Sequence, residues 1–281
     1  MNFKKLDIVV LLSILILVLL LGSSSIFAQG SVAGNSILDQ IIKRGEIRVG
    51  MILTLPPIAS MDDKGNPVGF EPDIAQFLAD TLGVKLTIIT LTGATRVPAV
   101  ATGKVDICFA NFTRTLERAK TIAFSEIPYM NVGVTFLLPK NSKYNTYEDL
   151  VAAGDSLTIG ISRGGTSEEN IPILLPKAVI NRFVEHSDEF LALQSGVVDV
   201  VSEDSITVDM QVKMRPDLYK KTGGVFSREE ICAGVSADDF KWFTWVNLFF
   251  HELNISGKTD ELYVKWFGSE PPKISPWVSS N

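Results

Sequence analysis

Strand-like segments rich in β-branched residues alternate along this chain with segments whose apolar residues recur at helical spacing. IRVGMI (47–52), KLTIITLT (85–92) and LTIGIS (157–162) have the composition of buried strands. Between the first two, residues 74–82 carry apolar side chains on one helical face, and Gly83 follows as a helix-end signal. This alternation predicts an α/β fold in which helices cover largely parallel sheets.

Two segments match each other without gaps and indicate an internal repeat. AVATGKVDICFAN (99–111) aligns with ALQSGVVDVVSED (192–204), and each contains a helix end, a glycine and a Val-Asp pair before a strand. The repeated strands end at Asn111 and Asp204. In open α/β sheets, ligands bind beyond the carboxyl ends of the strands. If the two halves face each other, we therefore expect Asn111 and Asp204 to face a common cleft.

The residues around these strand ends suit a ligand that carries two opposite charges. Thr113, Thr115 and Arg118 follow the first repeated strand, and the guanidinium fork of Arg118 suits a carboxylate. LTIGIS leads into RGGTSEE, a helix start whose backbone N–H groups attract anions and where Thr166 adds a hydroxyl donor. Asp204 supplies a negative charge. These groups predict an α-amino acid site; the alternative is a plain helix start capped by Thr113, with Arg118 in solvent.

The first residues have the pattern of an export signal. A basic start, MNFKK, precedes the apolar run IVVLLSILILVLLL (8–21), and cleavage is expected after Ala28 or Ala33. We therefore assign 1–33 as a signal peptide, which would place the mature protein in the periplasm. An uncleaved membrane anchor is the alternative, although the run is shorter than a comfortable span of about 20 residues.

Composition narrows the choice of partners and cofactors. The formal net charge is −6, and an acidic protein is a poor partner for nucleic acid. Cys108 and Cys232 lie in apolar runs, so buried free thiols are favoured, although export permits a disulfide and the pairing stays open. His186 and His251 are expected to be ordinary surface or packing residues. Without CxxC or HExxH spacing, the sequence predicts neither a metal site nor a cofactor.

At this point the chain resembles a known family, the periplasmic amino-acid-binding proteins of ABC importers (extracellular solute-binding protein family 3). The motifs that carry the resemblance are GNPVGFEPDIAQFLADTLGV, RVPAVATGKVDI, TRTLERAKTIAFSEIPY and LQSGVVDVVSED. The resemblance implies a type II periplasmic-binding-protein fold, an α/β protein of two lobes joined by two hinge crossings. Lobe 1 is expected at 38–130, lobe 2 at 131–228, and the return to lobe 1, with C-terminal helices, at 229–281.

The resemblance also implies a function and assigns roles by position. It implies a monomeric binding protein, not an enzyme, that takes up an L-amino acid and delivers it to the membrane permease of an ABC importer. Arg118 would grip the ligand's α-carboxylate with help from Thr113 and Thr166. Asp204 would bind the α-ammonium group.

The pocket for the ligand's side chain departs from several family members. Asn111 and Ser162 would line the cleft. Ile52 and Leu55 fall where binders of basic amino acids tend to have an acid and a tyrosine, and Gly93 falls where many members have an aromatic residue. With Leu55 as a pocket residue, we expect a neutral or small side chain on the ligand.

Three rival interpretations remain. Residues 160–164 match the G-x-S-x-G pattern of hydrolases, with Asp204 and His251 following in triad order. Periplasmic cyclohexadienyl dehydratases share the implied fold and need a general acid, for which Glu126 or Glu203 would be the candidate. The same module could also serve as the sensor of a separate signalling protein.

Overall fold

The computed structural model describes residues 36–222 and 224–271. The assigned signal peptide, 1–33, and both of its expected cleavage points lie outside the described residues. Among the residues that are described, no helix has the length and apolar character needed to cross a membrane.

Strands and helices alternate through the described residues, as the sequence pattern predicts. The strands are β1 (Glu46–Met51), β2 (Thr54–Leu55), β3 (Ala59–Met61), β4 (Pro67–Val68), β5 (Lys85–Thr90), β6 (Ile107–Cys108), β7 (Ala123–Phe124), β8 (Met130–Val132), β9 (Val134–Pro139), β10 (Thr158–Ser162), β11 (Val179–Phe183), β12 (Val200–Asp204), β13 (Tyr219–Lys221), β14 (Glu229–Ile231) and β15 (Gly234–Val235). The α-helices are α1 (Ile37–Arg44), α2 (Phe70–Leu82), α3 (Arg96–Ala101), α4 (Tyr147–Ala153), α5 (Ser167–Leu174), α6 (His186–Gln194), α7 (Ser205–Met214), α8 (Phe240–Ile255) and α9 (Lys258–Phe267).

The first lobe is built on a sheet with the strand order β5-β1-β6-β15-β7. β1 runs parallel to β5 and β6, whereas β15 runs antiparallel to β6 and β7. Helix α2 buries Ile74 and Leu78 at the expected spacing and ends at Gly83, which takes the left-handed conformation. Phe109 and Trp242 are fully buried in the same core, so the return segment completes the first lobe.

The second lobe repeats this plan with the strand order β11-β10-β12-β9-β13. β10 runs parallel to β11 and β12, and β9 runs antiparallel to β12 and β13. Separate apolar cores include Phe136 and Leu137, neighbours on β9 whose side chains point to opposite faces of the sheet. A sheet with both faces covered by apolar packing is typical of α/β proteins.

Two crossing segments join the lobes, so the predicted α/β fold of two lobes with two hinge crossings is confirmed. β8 carries the chain out of the first lobe and β14 carries it back, and the two strands pair antiparallel, with Met130 opposite Ile231. The expected lobe divisions, at residues 130/131 and 228/229, fall at this strand pair.

The internal repeat is present but its two strands differ in length. Gly103 and Gly196 both take the left-handed conformation expected after a helix. β12 runs to Asp204, but β6 ends at Cys108, and Asn111 lies beyond it at a φ of 46°. The difference arises because the N–H of Asn111 donates to a side chain of α2 and not to a neighbouring strand.

The cysteine question is settled in favour of free thiols. Cys108 and Cys232 are both buried and unbonded, so the favoured interpretation is confirmed. Burial raises the pKa of both thiols, that of Cys232 to about 11, and neutral buried thiols are chemically inert.

Candidate ligand-binding site

A small cavity of about 20 Å³ lies between the two lobes, at the ends of the repeated strands. Its walls are polar. The lining residues are Arg96, Asn111 and Thr113 from the first lobe, and Ser162, Gly165, Thr166, Ser167, His186, Glu203 and Asp204 from the second. Five of the seven residues chosen from the sequence, namely Asn111, Thr113, Ser162, Thr166 and Asp204, therefore share one cavity. Their role in ligand binding stays a prediction.

Asn111 and Asp204, which end the two repeated segments, contact each other across the cavity. The side-chain amide of Asn111 donates to Asp204 Oδ2 at 2.7 Å. Asn111 is held in its left-handed conformation because its backbone N–H donates to Glu71 Oε1 at 2.6 Å. Asparagine tolerates this conformation better than most residues. Tyr129 donates to the same oxygen at 2.7 Å, and burial raises the pKa of Glu71 to about 8.

Among the described residues, no positively charged side chain donates a hydrogen bond to the carboxyl group of Asp204. Burial, followed by the charges of Glu203 and Glu229, raises its pKa to about 7, and the hydrogen bond from Asn111 opposes that rise only in part. An ammonium group placed against Asp204 would supply the missing positive charge.

Arg118 lies beside the cavity and links the two lobes. Its guanidinium donates to the backbone oxygen of Thr113 in the first lobe and to that of Gly164 in the second, the latter at 2.8 Å. Burial lowers its pKa to about 10, which still leaves it protonated at neutral pH. The alternative of a helix start with Arg118 in solvent is therefore wrong. The segment forms only a 3₁₀ turn over Arg118–Lys120, and the Thr113 hydroxyl donates to Glu229.

A second arginine, Arg96, was not singled out from the sequence although it begins the RVPAV motif. It is 4% exposed and lines the cavity, with Nη1 donating to Asn111 O at 2.8 Å and Nη2 to Gly164 O at 2.6 Å. Arg96 and Arg118 both lie over the ring of Phe112, at 4.7 and 5.3 Å from its centroid. Two guanidinium groups therefore converge on the backbone oxygen of Gly164, in the glycine-rich turn of the second lobe.

A buried charged cluster forms one end of the cavity. His186 Nδ1 lies 2.7 Å from Glu203 Oε1 and 3.4 Å from Glu189 Oε1, and the Ser162 hydroxyl lies 3.5 Å from Glu203. Burial alone would lower the pKa of His186, but the two carboxylates outweigh it and raise the pKa to about 10. In return, His186 outweighs the effect of burial on Glu203 and holds the pKa of that carboxyl below its usual value.

This cluster changes two expectations from the sequence. His251 is exposed, as expected of an ordinary surface residue, but His186 is part of the cavity wall. The ligand atoms of His186, Glu189 and Glu203 lie within 4.8 Å of one another, a set that could hold a metal ion where none was expected. An imidazolium ion between two carboxyl groups already balances the cluster's charge, and a metal would first have to displace that proton.

The other candidate residues from the sequence either lie outside the cavity wall or do not contact one another. Leu55 is 1% exposed in β2 and belongs to the core of the first lobe, not to the cavity wall. Among the described residues, no hydrogen bond joins His251 to Ser162 or Asp204, so the hydrolase triad is not formed. Glu126 is exposed and does not line the cavity.

The sequence is similar to a known protein family and to individual proteins of known function. Residues 47–269 match the sequence profile of the bacterial extracellular solute-binding proteins, family 3. The ABC transporter glutamine-binding protein GlnH of Bacillus subtilis is 28% identical over 275 residues, covering 95% of this chain and 99% of the relative. The cyclohexadienyl dehydratase of Pseudomonas aeruginosa is 30% identical over 204 residues, covering 71% and 72%.

A solved structure agrees with the sequence relatives. The P235GK mutant of ArgBP from T. maritima superimposes with a TM-score of 0.76 at 34% identity, and the match covers 83% of this chain and all of that one. The profile match spans most of the chain, and so does the structural match. The chain is therefore a member of the bacterial extracellular solute-binding proteins, family 3.

Proposed function

We propose that this protein binds an L-amino acid between its lobes and delivers it to the permease of an ABC importer. The observation that carries the proposal is the opposite charge of the two cavity walls. In the first lobe Arg96 lines the cavity and Arg118 lies beside it, and in the second lobe Asp204 lines it. The relatives that are named as amino-acid-binding proteins support the same function.

The ligand's two charged groups would bind to different walls. The α-ammonium group would take the place of the Asn111 amide on Asp204, whose pKa is raised by burial and by the charges of Glu203 and Glu229. The α-carboxylate would accept from the hydroxyls of Thr113 and Thr166 and from the guanidinium of Arg118. Because these contacts come from both lobes, a complete ligand favours the closed arrangement of the lobes.

The cavity's polar lining supports a neutral side chain on the ligand, with small ones favoured. Ser162 and Ser167 offer hydroxyl groups, and Glu203 is the carboxylate beside Ser162. Glu203 is already neutralised by His186, so it is a poor partner for the charge of an arginine or lysine side chain. Releasing it from His186 would leave a buried imidazolium without its closest partner, which is costly.

A dehydratase function is less well supported by the two carboxyl groups that were its candidate general acids, Glu126 and Glu203. A general acid must hold a proton and reach the substrate. Glu126 is exposed outside the cavity, and His186 keeps Glu203 ionised. The dehydratase relative keeps this alternative worth testing, and prephenate is the appropriate probe.

The remaining parts of the proposal concern the protein's place in the cell. The export signal at 1–33 would direct the protein to the periplasm, where its acidic surface argues against nucleic acid partners. We expect it to act there as a monomer that meets the amino acid first and the permease second.

Thermal melting of residues 34–281 with each of the twenty L-amino acids and prephenate tests this proposal. A ligand at 100 times its dissociation constant adds about 2.7 kcal/mol to the free energy of unfolding, which gives a clear rise in melting temperature. We expect one or a few neutral amino acids to produce the shift and Arg118→Ala to abolish it. Arg114→Ala, from the same loop but half-buried and paired with Glu230, should retain the shift. A shift with prephenate alone would overturn the proposal.

A further inference from the structure

Glu229, on the returning hinge strand β14, is a buried carboxylate that no role described so far explains. It is 8% exposed. Its Oε2 accepts from the hydroxyl of Thr166 at 2.7 Å and from that of Thr113 at 3.1 Å. Its Oε1 accepts from Ser227 at 2.9 Å and from Asn170 at 3.4 Å. One oxygen therefore holds both of the threonines that are expected to bind the ligand's carboxylate.

The backbone fixes this arrangement. Thr113 lies opposite Ile231 in an isolated bridge, and the N–H of Cys232 donates to Phe112 O at 3.0 Å. The loop that carries Thr113 is therefore held against β14 by backbone hydrogen bonds. Thr166 comes from the second lobe, so Glu229 joins both lobes from the hinge between them.

Glu229 and a ligand carboxylate would compete for the same two hydroxyl donors. A threonine hydroxyl has one O–H and can donate to only one acceptor at a time. While Thr113 and Thr166 donate to Glu229, neither can donate to a ligand carboxylate. The two carboxylates would also carry like charges beside the same guanidinium, that of Arg118, whose protonated form Glu229 helps to stabilise.

We propose that Glu229 is a positioning residue that occupies the hydroxyl donors of Thr113 and Thr166 in place of the ligand's α-carboxylate, so that binding is an exchange of one carboxylate for another. This inference rests on the proposed amino acid function. During the exchange, Glu229 Oε2 loses its hydrogen bonds from the two threonines. Glu229 Oε1 keeps its hydrogen bonds from Ser227 and Asn170. The ligand's carboxylate then takes the released O–H groups, and Glu229 lowers the affinity that the same site would otherwise have.

The variant that tests this inference is Glu229→Gln. The glutamine amide keeps the size of the side chain but removes its charge, and its N–H₂ can donate to a threonine oxygen and leave that hydroxyl's own proton for the ligand. Calorimetric titration would use the tightest-binding of the twenty L-amino acids and the α-carboxamide of the same amino acid. We expect Glu229→Gln to bind the amino acid about tenfold more tightly, the factor of one charge-assisted hydrogen bond. The uncharged carboxamide should gain much less.

The neighbouring residue provides a matched control. Glu230→Gln alters the next carboxylate on β14, which is exposed and paired with Arg114, and should leave the affinity unchanged. If Glu229→Gln does not fold, Glu229→Ala removes the same charge and is expected to tighten binding in the same way. Unchanged or weaker binding by the folded Glu229 variant, or an equal gain for the carboxamide, would overturn the inference alone. Failure of the unmodified protein and both variants to bind any amino acid would overturn the proposed function as well.

Discussion

The two lobes present the same strand–helix plan to the cavity but with opposite chemistry. In the first lobe the repeated segment ends at Asn111, and two arginines satisfy their donors on backbone oxygens, including that of Gly164. In the second lobe it ends at Asp204, and the nearby carboxylate of Glu203 is balanced by an imidazolium. The equivalent ends of the repeated segments therefore carry an amide in one lobe and a carboxylate in the other, while both arginines lie outside the repeat. Under the proposed function, the groups that would bind the ligand's two charges come from both lobes and not from a single loop.

Replacement of His186 by leucine should have the largest effect, because it removes the cation of the anionic wall. Two buried carboxyl groups, Glu189 and Glu203, would lose their partner, and breaking a buried ion pair from one side costs about 3–5 kcal/mol. The free energy of unfolding, measured in urea, should fall by that amount. A fall of less than 1 kcal/mol would contradict the assigned charge balance.

The same cluster predicts a pH dependence of stability. The pKa of His186 is raised from its ordinary value of 6.5 to about 10 in the folded protein. The stabilisation is therefore fully present below about pH 6.5 and is lost as the pH rises through about 10. His186→Leu should show a smaller loss of stability over this range than the unmodified protein.

Asp204→Asn should have the next largest effect. It should lower the affinity for the amino acid and leave the stability of the fold nearly unchanged. Asparagine keeps the shape of the side chain but removes the charge that an α-ammonium group would pair with. Loss of one partner from a buried charge pair costs about 3 kcal/mol, so we expect affinity for the amino acid to fall more than a hundredfold. Melting without ligand should change little, because the ionised carboxylate is poorly solvated where it lies. Asp209→Asn, an exposed carboxylate paired with Lys221, is the control and should bind normally.

The acidity of Asp204 predicts a smaller effect that can be measured without mutation. Its pKa of about 7 means that the group is largely protonated at pH 6 and must ionise before it can bind an ammonium ion. Affinity should therefore be about tenfold weaker at pH 6 than at pH 8 and should level off above neutrality. Calorimetric titrations at the two pH values provide the test, and equal affinities would contradict the assignment of Asp204 as the ammonium partner.

The smallest expected effect is at Asn111, in the first lobe. Asn111→Gly and Asn111→Ala both remove the amide that contacts Asp204, but only alanine must adopt a φ of 46° with a side chain attached. The left-handed conformation costs about 1 kcal/mol or more for a residue with a Cβ atom. The glycine variant should therefore be more stable than the alanine variant by about that amount in urea denaturation. Equal stabilities would mean that the backbone at residue 111 leaves the left-handed conformation in the alanine variant, which would contradict the prediction.

Much of the fold follows from local pattern, because the repeated glycines, the strand composition and the spacing on α2 are all short-range signals. The choice of Asn111 and Asp204 also needed only the rule that ligands bind at strand ends. The two hinge crossings came from the family resemblance and not from periodicity.

The parts of the site that the sequence did not reveal depend on contacts between distant residues. Glu229 meets Thr113 and Thr166 only after both hinge strands pair. His186 becomes a cavity residue because α6 brings it against Glu203 on β12. Leu55 was chosen by position in the family, yet β2 turns it into the core of the first lobe.

Calorimetric titration with three matched ligands would test the central claim most directly, that the two lobes grip the two charges of one amino acid. The ligands are the amino acid identified by melting, its α-carboxamide and its analogue without the α-amino group. The account predicts that each analogue binds at least about a hundredfold more weakly than the amino acid, because each loses its partner on one wall. Retention of full affinity by either analogue would contradict the account, since one of the two walls would then take no part in binding.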